Sequence, residues 1–195
     1  MGALKSVHDG WDALELLKLL NGKPLSYEPM QPGRSGRTVT QLDVSGSLAG
    51  LHPGAQAWAY LYALDKRSSR DIARALSPLT QTTREALCAD RVRAVTRTID
   101  QLACGIARSA LMQSLRGRGE CPRCIGYGVT LGKPCGRCDG AGVVLVTEQE
   151  RADLSGLGLS RQAYMGKWAD YEAVAAGLVA EWQEQIRERM VGLLR

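Results

Sequence analysis

A repeated cysteine segment between residues 121 and 142 decides the fold of this chain. Cys-Pro-Arg-Cys-Ile-Gly-Tyr-Gly at 121–128 returns as Cys-Gly-Arg-Cys-Asp-Gly-Ala-Gly at 135–142, so both copies fit CxxCxGxG with a period of 14 residues. Two residues between cysteines let both thiolates face one ion from a tight turn, and the glycines permit the positive φ values that such turns require. The spacing predicts one metal site whose four ligands are Cys121, Cys124, Cys135 and Cys138.

Zinc is the metal that this ligand set favours. Four thiolates close a tetrahedral site, which leaves no open position for catalysis. A four-sulfur iron site and a redox-active CxxC are the alternatives, and two matched cysteine pairs favour a structural site over both. We therefore expect a single structural Zn²⁺ that stabilises folding and sets the angle between the flanking helices.

The chain is basic, and its charge is unevenly placed. It has 195 residues, 45% hydrophobic residues and a formal net charge of +5, which suggests an anionic partner. From Lys66 to Arg123 there are twelve basic against five acidic residues, whereas Glu148–Arg195 has six against eight. Within the cysteine segment, Arg123, Lys133 and Arg137 are candidate phosphate contacts, and solubility is the alternative role.

Nothing in the sequence predicts an enzyme or a membrane protein. No run of about 18 apolar residues exists, and no secretory signal is evident, so we expect a cytoplasmic protein. His8 and His52 are far apart in the sequence, and neither a Ser/His/Asp set nor a phosphate-binding glycine loop stands out. We expect no catalytic residues and no small-molecule substrate. Cys88 and Cys104 lie near an apolar helical stripe and are interpreted as small core residues.

The predicted fold is a mostly α helical bundle with an inserted four-cysteine knuckle on a short β ribbon and a helix-turn-helix-like C-terminal part. Caps and apolar periodicity predict helices at Asp9–Leu20, at Pro53–Ala63, at Ser69–Leu76 ended by Pro78, from Thr82 or Thr83 to about Leu115, at Glu148–Leu154, from Ser160 to about Asp170 and at Tyr171–Leu194. Gly22–Ser47 is predicted as a flexible linker with a short strand at Thr38–Leu42, and Val143–Val146 as a strand that closes the knuckle.

Four regions follow from these elements. Residues 1–50 form an N-terminal helix and linker, 51–116 a basic helical region, 117–147 the zinc knuckle and 148–195 the C-terminal helical region, with 51–195 as one compact unit. The N-terminal helix is either a detachable contact element or packed on the core, and the sequence leaves both open.

Two segments have the spacing of a DNA-binding helix-turn-helix. After the turn Ser155–Gly158, the helix that begins at Ser160 would present Arg161, Gln162, Tyr164 and Lys167 to base edges in the major groove. An ordinary αα-hairpin is the alternative. Upstream, Ala57–Leu64, Ser69–Leu76 and Thr83–Arg93 form a three-helix pattern whose last helix carries Arg84, Arg91 and Arg93. The sequence does not choose between the two segments.

Over roughly residues 55–190, the chain resembles the Q antitermination proteins of lambdoid phages. The resemblance lies in Cys135-Gly-Arg-Cys138-x-Gly140-x-Gly142, in Leu159-Ser160-Arg161-Gln162-Ala163-Tyr164 and, beyond them, in Trp168 and Tyr171-Glu172-Ala173. It implies a protein that binds double-stranded DNA near a phage late promoter and engages host RNA polymerase with its sigma factor. Such a protein then travels with the polymerase past terminators in the bacterial cytoplasm.

Two other functions share parts of this pattern. A zinc-containing DNA-binding transcription regulator that stays at its site would need the same cysteines and the same basic helices. A co-chaperone-like zinc module is the further alternative, because CxxCxGxG also marks the J-protein co-chaperones. Those proteins carry four copies and a J-domain with His-Pro-Asp, and this chain has neither.

Overall fold

The computed structural model describes Leu14, Leu16, Leu17 and Leu20 and residues 39–64, 68–93, 96–116, 119–120, 123–124, 127, 129–138, 140, 143–144 and 146–193. This part of the chain is mostly helical, as the sequence predicts. Its helices are α1 (Gln41–Leu48), α2 (Pro53–Ala63), α3 (Ser69–Ala89), α4 (Ile99–Arg116), α5 (Glu148–Ser155), α6 (Arg161–Lys167) and α7 (Ala169–Leu193). None of these helices combines the length and the apolar character that crossing a membrane requires.

Two antiparallel ribbons form the segment between α4 and α5. The outer ribbon pairs β1 (Gly119–Glu120) with β4 (Val143–Val144), and the inner ribbon pairs β2 (Val129–Thr130) with β3 (Lys133–Pro134). The predicted short β ribbon is thus confirmed. Its closing strand covers Val143–Val144 of the predicted Val143–Val146.

The fold divides into two compact units. Unit 1 comprises Met1–Ala75 and Ala180–Arg195, and unit 2 comprises Leu76–Val179. Unit 2 therefore contains the cysteine segment together with α4, α5 and α6. The region boundaries expected from the sequence stay a prediction.

The core of unit 2 joins α4 to the α5–α6 pair. Its buried members are Leu87, Leu102, Ala103, Ile106, Ala152, Leu157, Tyr164 and Trp168. Gly105 on α4 allows the closest approach, because a Cβ at this position would stand 2.6 Å from the Leu157 side chain and 2.9 Å from the Ser155 carbonyl oxygen. The turn after α5 thus lies directly on the α4 backbone.

The prediction of a flexible linker over Gly22–Ser47 is wrong at its C-terminal end, where α1 forms. The predicted strand Thr38–Leu42 is wrong for the same reason. Thr40 caps α1 with a capping box, in which its hydroxyl accepts from the Asp43 N–H and the Asp43 carboxylate accepts from the Thr40 N–H. Burial of Val44 and Leu48 anchors the helix in unit 1. The cap and these two apolar side chains outweigh the glycine and serines of the segment. The rest of the predicted linker lies outside the described residues.

Four leucines of the predicted N-terminal helix are buried in unit 1. They are Leu14, Leu16, Leu17 and Leu20. In addition, the Gln41 side-chain amide donates to the Leu20 carbonyl oxygen at 3.3 Å. For these four residues, the burial and the hydrogen bond favour an N-terminal helix that packs on the core over a detachable contact element. The other residues of Asp9–Leu20 lie outside the described part of the chain.

The prediction that Pro78 ends a helix is wrong, because α3 runs through it to Ala89. A proline inside a helix removes one backbone hydrogen bond. The helix continues because buried side chains recur every fourth position on both sides of the proline, at Ala75, Leu79, Thr83 and Leu87. The upstream three-helix pattern is therefore wrong as well, since its second and third members belong to one helix.

The predicted helix from Thr82 or Thr83 to Leu115 is broken after Ala89. Arg91 adopts the left-handed backbone conformation with φ 52. The Arg91 N–H donates to the Cys88 carbonyl and the Val92 N–H donates to the Leu87 carbonyl. These two bonds form a Schellman motif, which ends α3. A new helix then starts at its own cap, where Thr98 and Gln101 exchange side-chain-to-backbone hydrogen bonds of 3.0 and 3.2 Å. Two helices, α3 and α4, thus replace the single predicted one.

Candidate metal centre

The inner ribbon brings together three buried cysteines from the two copies of the repeat. The Sγ atoms of Cys124, Cys135 and Cys138 all lie within 4.8 Å of one another, and those of Cys124 and Cys138 are 3.7 Å apart. This separation is much longer than the roughly 2.05 Å of a disulfide bond. Three thiols at this spacing could bind a metal ion. The fourth predicted ligand, Cys121, lies outside the described residues.

Tight turns point the cysteines at one another. The Cys124 carbonyl accepts from Tyr127 N–H at 3.0 Å, and the Cys135 carbonyl accepts from Cys138 N–H at 3.2 Å and from Gly140 N–H at 3.4 Å. Gly140 has φ 83, a conformation that L side chains rarely adopt. The glycine after the second cysteine pair is therefore required by the turn, as the repeat predicts.

The predicted basic residues of the knuckle are all exposed. Arg123, Lys133 and Arg137 lie on its surface, and the Arg123 guanidinium is 4.0 Å from the place where a Cβ on Gly136 would stand. The sequence contains no acidic residue between Cys121 and Cys138. The described surface of the knuckle thus exposes three positive charges between its first and last cysteines.

Directly after the knuckle, α5 and α6 form a short hairpin with the predicted caps. Thr147 begins α5 with a capping box that Glu150 completes, and the Ser160 hydroxyl accepts from Ala163 N–H to begin α6. Gly156 ends α5 in the left-handed conformation with φ 66. The capping predictions are confirmed, whereas a role for this hairpin as a helix-turn-helix stays a prediction.

Three of the four candidate side chains on α6 are exposed. Arg161 donates through Nε to the Glu148 carboxylate at 2.6 Å, Gln162 faces solvent, and the Lys167 ammonium lies 4.8 Å from the centroid of the Trp168 ring. An exposed ion pair contributes little to stability. Arg161 can therefore exchange Glu148 for another acceptor at small cost.

Tyr164 corrects the fourth assignment, because its side chain is fully buried in the core of unit 2. Burial, and then the neighbouring Glu172 carboxylate, raise the pKa of its phenol well above the usual value. A side chain enclosed in this way contacts the core and not a base edge. Trp168, four positions after Tyr164 and at the C-cap of α6, is also buried, so both side chains face the core.

A buried ion pair close to Tyr164 was not predicted from the sequence. The Glu172 carboxylate on α7 accepts from the Arg151 guanidinium on α5, at 2.8 Å from Nε, and from the Gln113 amide on α4. Only 2% of the Glu172 side chain is exposed. The Ser109 hydroxyl also donates to the Arg151 carbonyl at 2.8 Å. These bonds join α4, α5 and α7 around the hairpin.

The upstream basic candidates are exposed but lie on the end of α3 and after it. Arg84 pairs with Asp100 at 3.1 Å, and Arg91 and Arg93 face solvent in the connection to α4. The interpretation of Cys88 as a core residue is wrong, because its side chain is exposed. Leu87 takes the buried position beside it, and Cys104 is half-buried.

Comparisons with known proteins give no match to this chain. No protein-family model, no curated protein and no solved structure matches it.

Proposed function

We propose that this protein is a phage late-gene antitermination factor of the Q type, which binds DNA near a late promoter and modifies host RNA polymerase to read through terminators. The observation that carries the proposal is the assembled cysteine cluster at the CxxCxGxG repeat, followed at once by a hairpin that exposes Arg161 and Gln162. The same order of elements underlies the resemblance to the Q proteins.

The metal in this proposal is one structural Zn²⁺. Four thiolates at about 2.3 Å from a tetrahedral zinc would stand roughly 3.8 Å apart, and Cys124 and Cys138 lie 3.7 Å apart. Cys121 would complete the site. With all four positions taken by protein, the ion supports folding and no catalysis, which agrees with a protein that is not an enzyme.

The proposed DNA contacts divide into two kinds. Arg161 and Gln162 begin α6, where a guanidinium suits guanine and an amide suits adenine. Exposed cations on the knuckle and in the connection after α3 would contact phosphates and give a salt-dependent affinity. The candidates for these phosphate contacts are Arg123, Lys133, Arg137, Arg84, Arg91 and Arg93, and Lys167 on α6 is a further candidate.

A terminator read-through assay tests the proposal. Purified bacterial RNA polymerase holoenzyme transcribes a template with a phage late promoter and an intrinsic terminator, with and without the zinc-loaded protein. We expect read-through that depends on the promoter-proximal DNA. Unchanged termination would contradict antitermination, and a change in initiation alone would favour the regulator that stays at its site.

A further inference from the structure

One face of the inner ribbon of the knuckle carries exposed apolar side chains. Register pairs Val129 with Pro134 and Thr130 with Lys133, so each pair shares one face of the ribbon. Val129 is 53% exposed and Pro134 is exposed, whereas the Thr130 hydroxyl oxygen is buried. The other face is solvated as well, because Lys133 beside Thr130 is exposed. The solvated face of a ribbon normally carries polar side chains, so the exposed apolar pair Val129 and Pro134 is unusual.

Two further apolar side chains near the ribbon are exposed. Tyr127 and Leu131 lie two residues on either side of Val129, and they are 80% and 98% exposed. We call four of these exposed residues the apolar tip: Tyr127, Val129, Leu131 and Pro134. Several exposed apolar side chains on one small module are typical of a contact surface.

The turn of the ribbon presents Leu131 in an unfavourable conformation. Leu131 has φ 53 and Gly132 has φ 74, as in the two central positions of a type I′ turn. Asn-Gly forms this turn readily, whereas a leucine in the left-handed region is disfavoured. Because Leu131 is almost wholly exposed, no packing among the described residues offsets this cost. Contact with a partner would offset it.

The surroundings of the tip indicate the charge of that partner. Arg123, Lys133 and Arg137 are exposed on the same knuckle, and no acidic residue occurs between Cys121 and Cys138. An acidic surface would therefore complement the knuckle. A nucleic acid is acidic too, but its interfaces are polar, and three of the four tip side chains offer no hydrogen bond to phosphate or base. An acidic protein surface with an apolar pocket fits both features.

We propose that the apolar tip is a protein-docking surface, in which Leu131 enters an apolar pocket bordered by carboxylates on the partner. The inference rests on the proposed function for the choice of partner to test, which is RNA polymerase. It assigns to the apolar tip a contact with protein, in addition to the phosphate contacts proposed for the knuckle cations and the base contacts proposed for α6. A metal ion bound by the cysteines would also restrain the ribbon that carries the tip.

Binding by zinc-loaded full-length protein tests the inference. The variant Leu131→Asn creates the favourable Asn-Gly turn, so the knuckle should fold and keep its metal. Leu42→Gln is the matched control, since Leu42 is also a leucine, 82% exposed, and lies on α1. Affinity is measured for RNA polymerase holoenzyme and, separately, for late-promoter DNA, and zinc content is checked by chelator release.

We expect Leu131→Asn to weaken polymerase binding by about tenfold or more, as for a central interface residue, with DNA affinity and zinc content unchanged. Leu42→Gln should bind as the wild type does. If Leu131→Asn binds polymerase as tightly as the wild type, the docking surface is overturned and the proposed function is not. If Leu131→Asn loses as much affinity for DNA as for polymerase, the tip is a DNA contact and the docking surface is overturned as well. If the wild type neither binds polymerase nor causes read-through, the proposed function fails and the docking surface fails with it.

Discussion

The Sγ atoms of Cys124 and Cys138 lie 3.7 Å apart, although the two residues belong to different copies of the repeat. The inner ribbon between them folds the second copy back onto the first. Residues 14 positions apart in the sequence thereby become neighbours in one cluster. This relationship brings thiols from both copies of the repeat close enough to bind one metal ion.

Removal of one cysteine should unfold more than the loop. Loss of a structural zinc removes folding free energy, and the knuckle connects α4 to α5 in unit 2. We expect Cys138→Ser to lose the metal, to lower helical circular dichroism and to lower the melting temperature. Cys88→Ser is the control, because Cys88 is exposed and lies outside the cluster. An unchanged melting temperature and an unchanged spectrum in Cys138→Ser would refute the structural role.

Arg161 should contribute sequence specificity. If its guanidinium reads a guanine, Arg161→Ala should cost about 1–3 kcal/mol in binding free energy at one base position. Fluorescence anisotropy with a set of single-base variants of the late-promoter site measures the effect. Arg187→Ala, at an exposed arginine on α7, is the control. An equal loss on every sequence would make Arg161 a phosphate contact.

The pair of the half-buried Arg151 and the buried Glu172 should stabilise unit 2. Glu172→Gln leaves the Arg151 cation without an anionic partner, and we expect a loss of about 1–3 kcal/mol in the free energy of unfolding. Glu184→Gln is the control, because the Glu184–Arg187 pair is exposed and should contribute less than about 1 kcal/mol. Urea titration followed by circular dichroism measures both variants. Similar losses in the two would contradict the importance of burial.

Two glycines in helices should respond to alanine in opposite directions. Gly105→Ala places a Cβ 2.6 Å from the Leu157 side chain, and we expect a loss of about 1–3 kcal/mol in stability. Gly177 on α7 has nothing within 4 Å of its Cβ position. Gly177→Ala should stabilise by about 0.5–1 kcal/mol through helix propensity. If Gly105→Ala had the same free energy of unfolding as the wild type, the close packing of α4 on the turn after α5 would be contradicted.

Local chemistry made the knuckle and its neighbouring helices predictable. The caps at Thr147 and Ser160 depend on side chains within three residues, and the turn after the second cysteine pair depends on Gly140. The sequence alone therefore predicts the order of ribbon, α5 and α6. It also predicts which cysteines meet, and the described part of the chain confirms three of the four.

Features that depend on distant packing escaped prediction. The helix through Pro78 is held by a buried stripe that outweighs the lost hydrogen bond, and Tyr164 is turned inward by the core around α4. Glu172 meets Arg151 across 21 residues, a distance at which no local pattern applies. The exposed apolar face of the inner ribbon was not predicted either, because it follows from the strand register and not from the composition.

Recovery of the protein with elongating polymerase tests the central claim most directly. Polymerase starts from a late promoter on an immobilised template and is halted far downstream, and the promoter fragment is then removed by cleavage. We expect the zinc-loaded protein to remain with the downstream polymerase after this cleavage. Release of the protein with the promoter fragment would contradict antitermination.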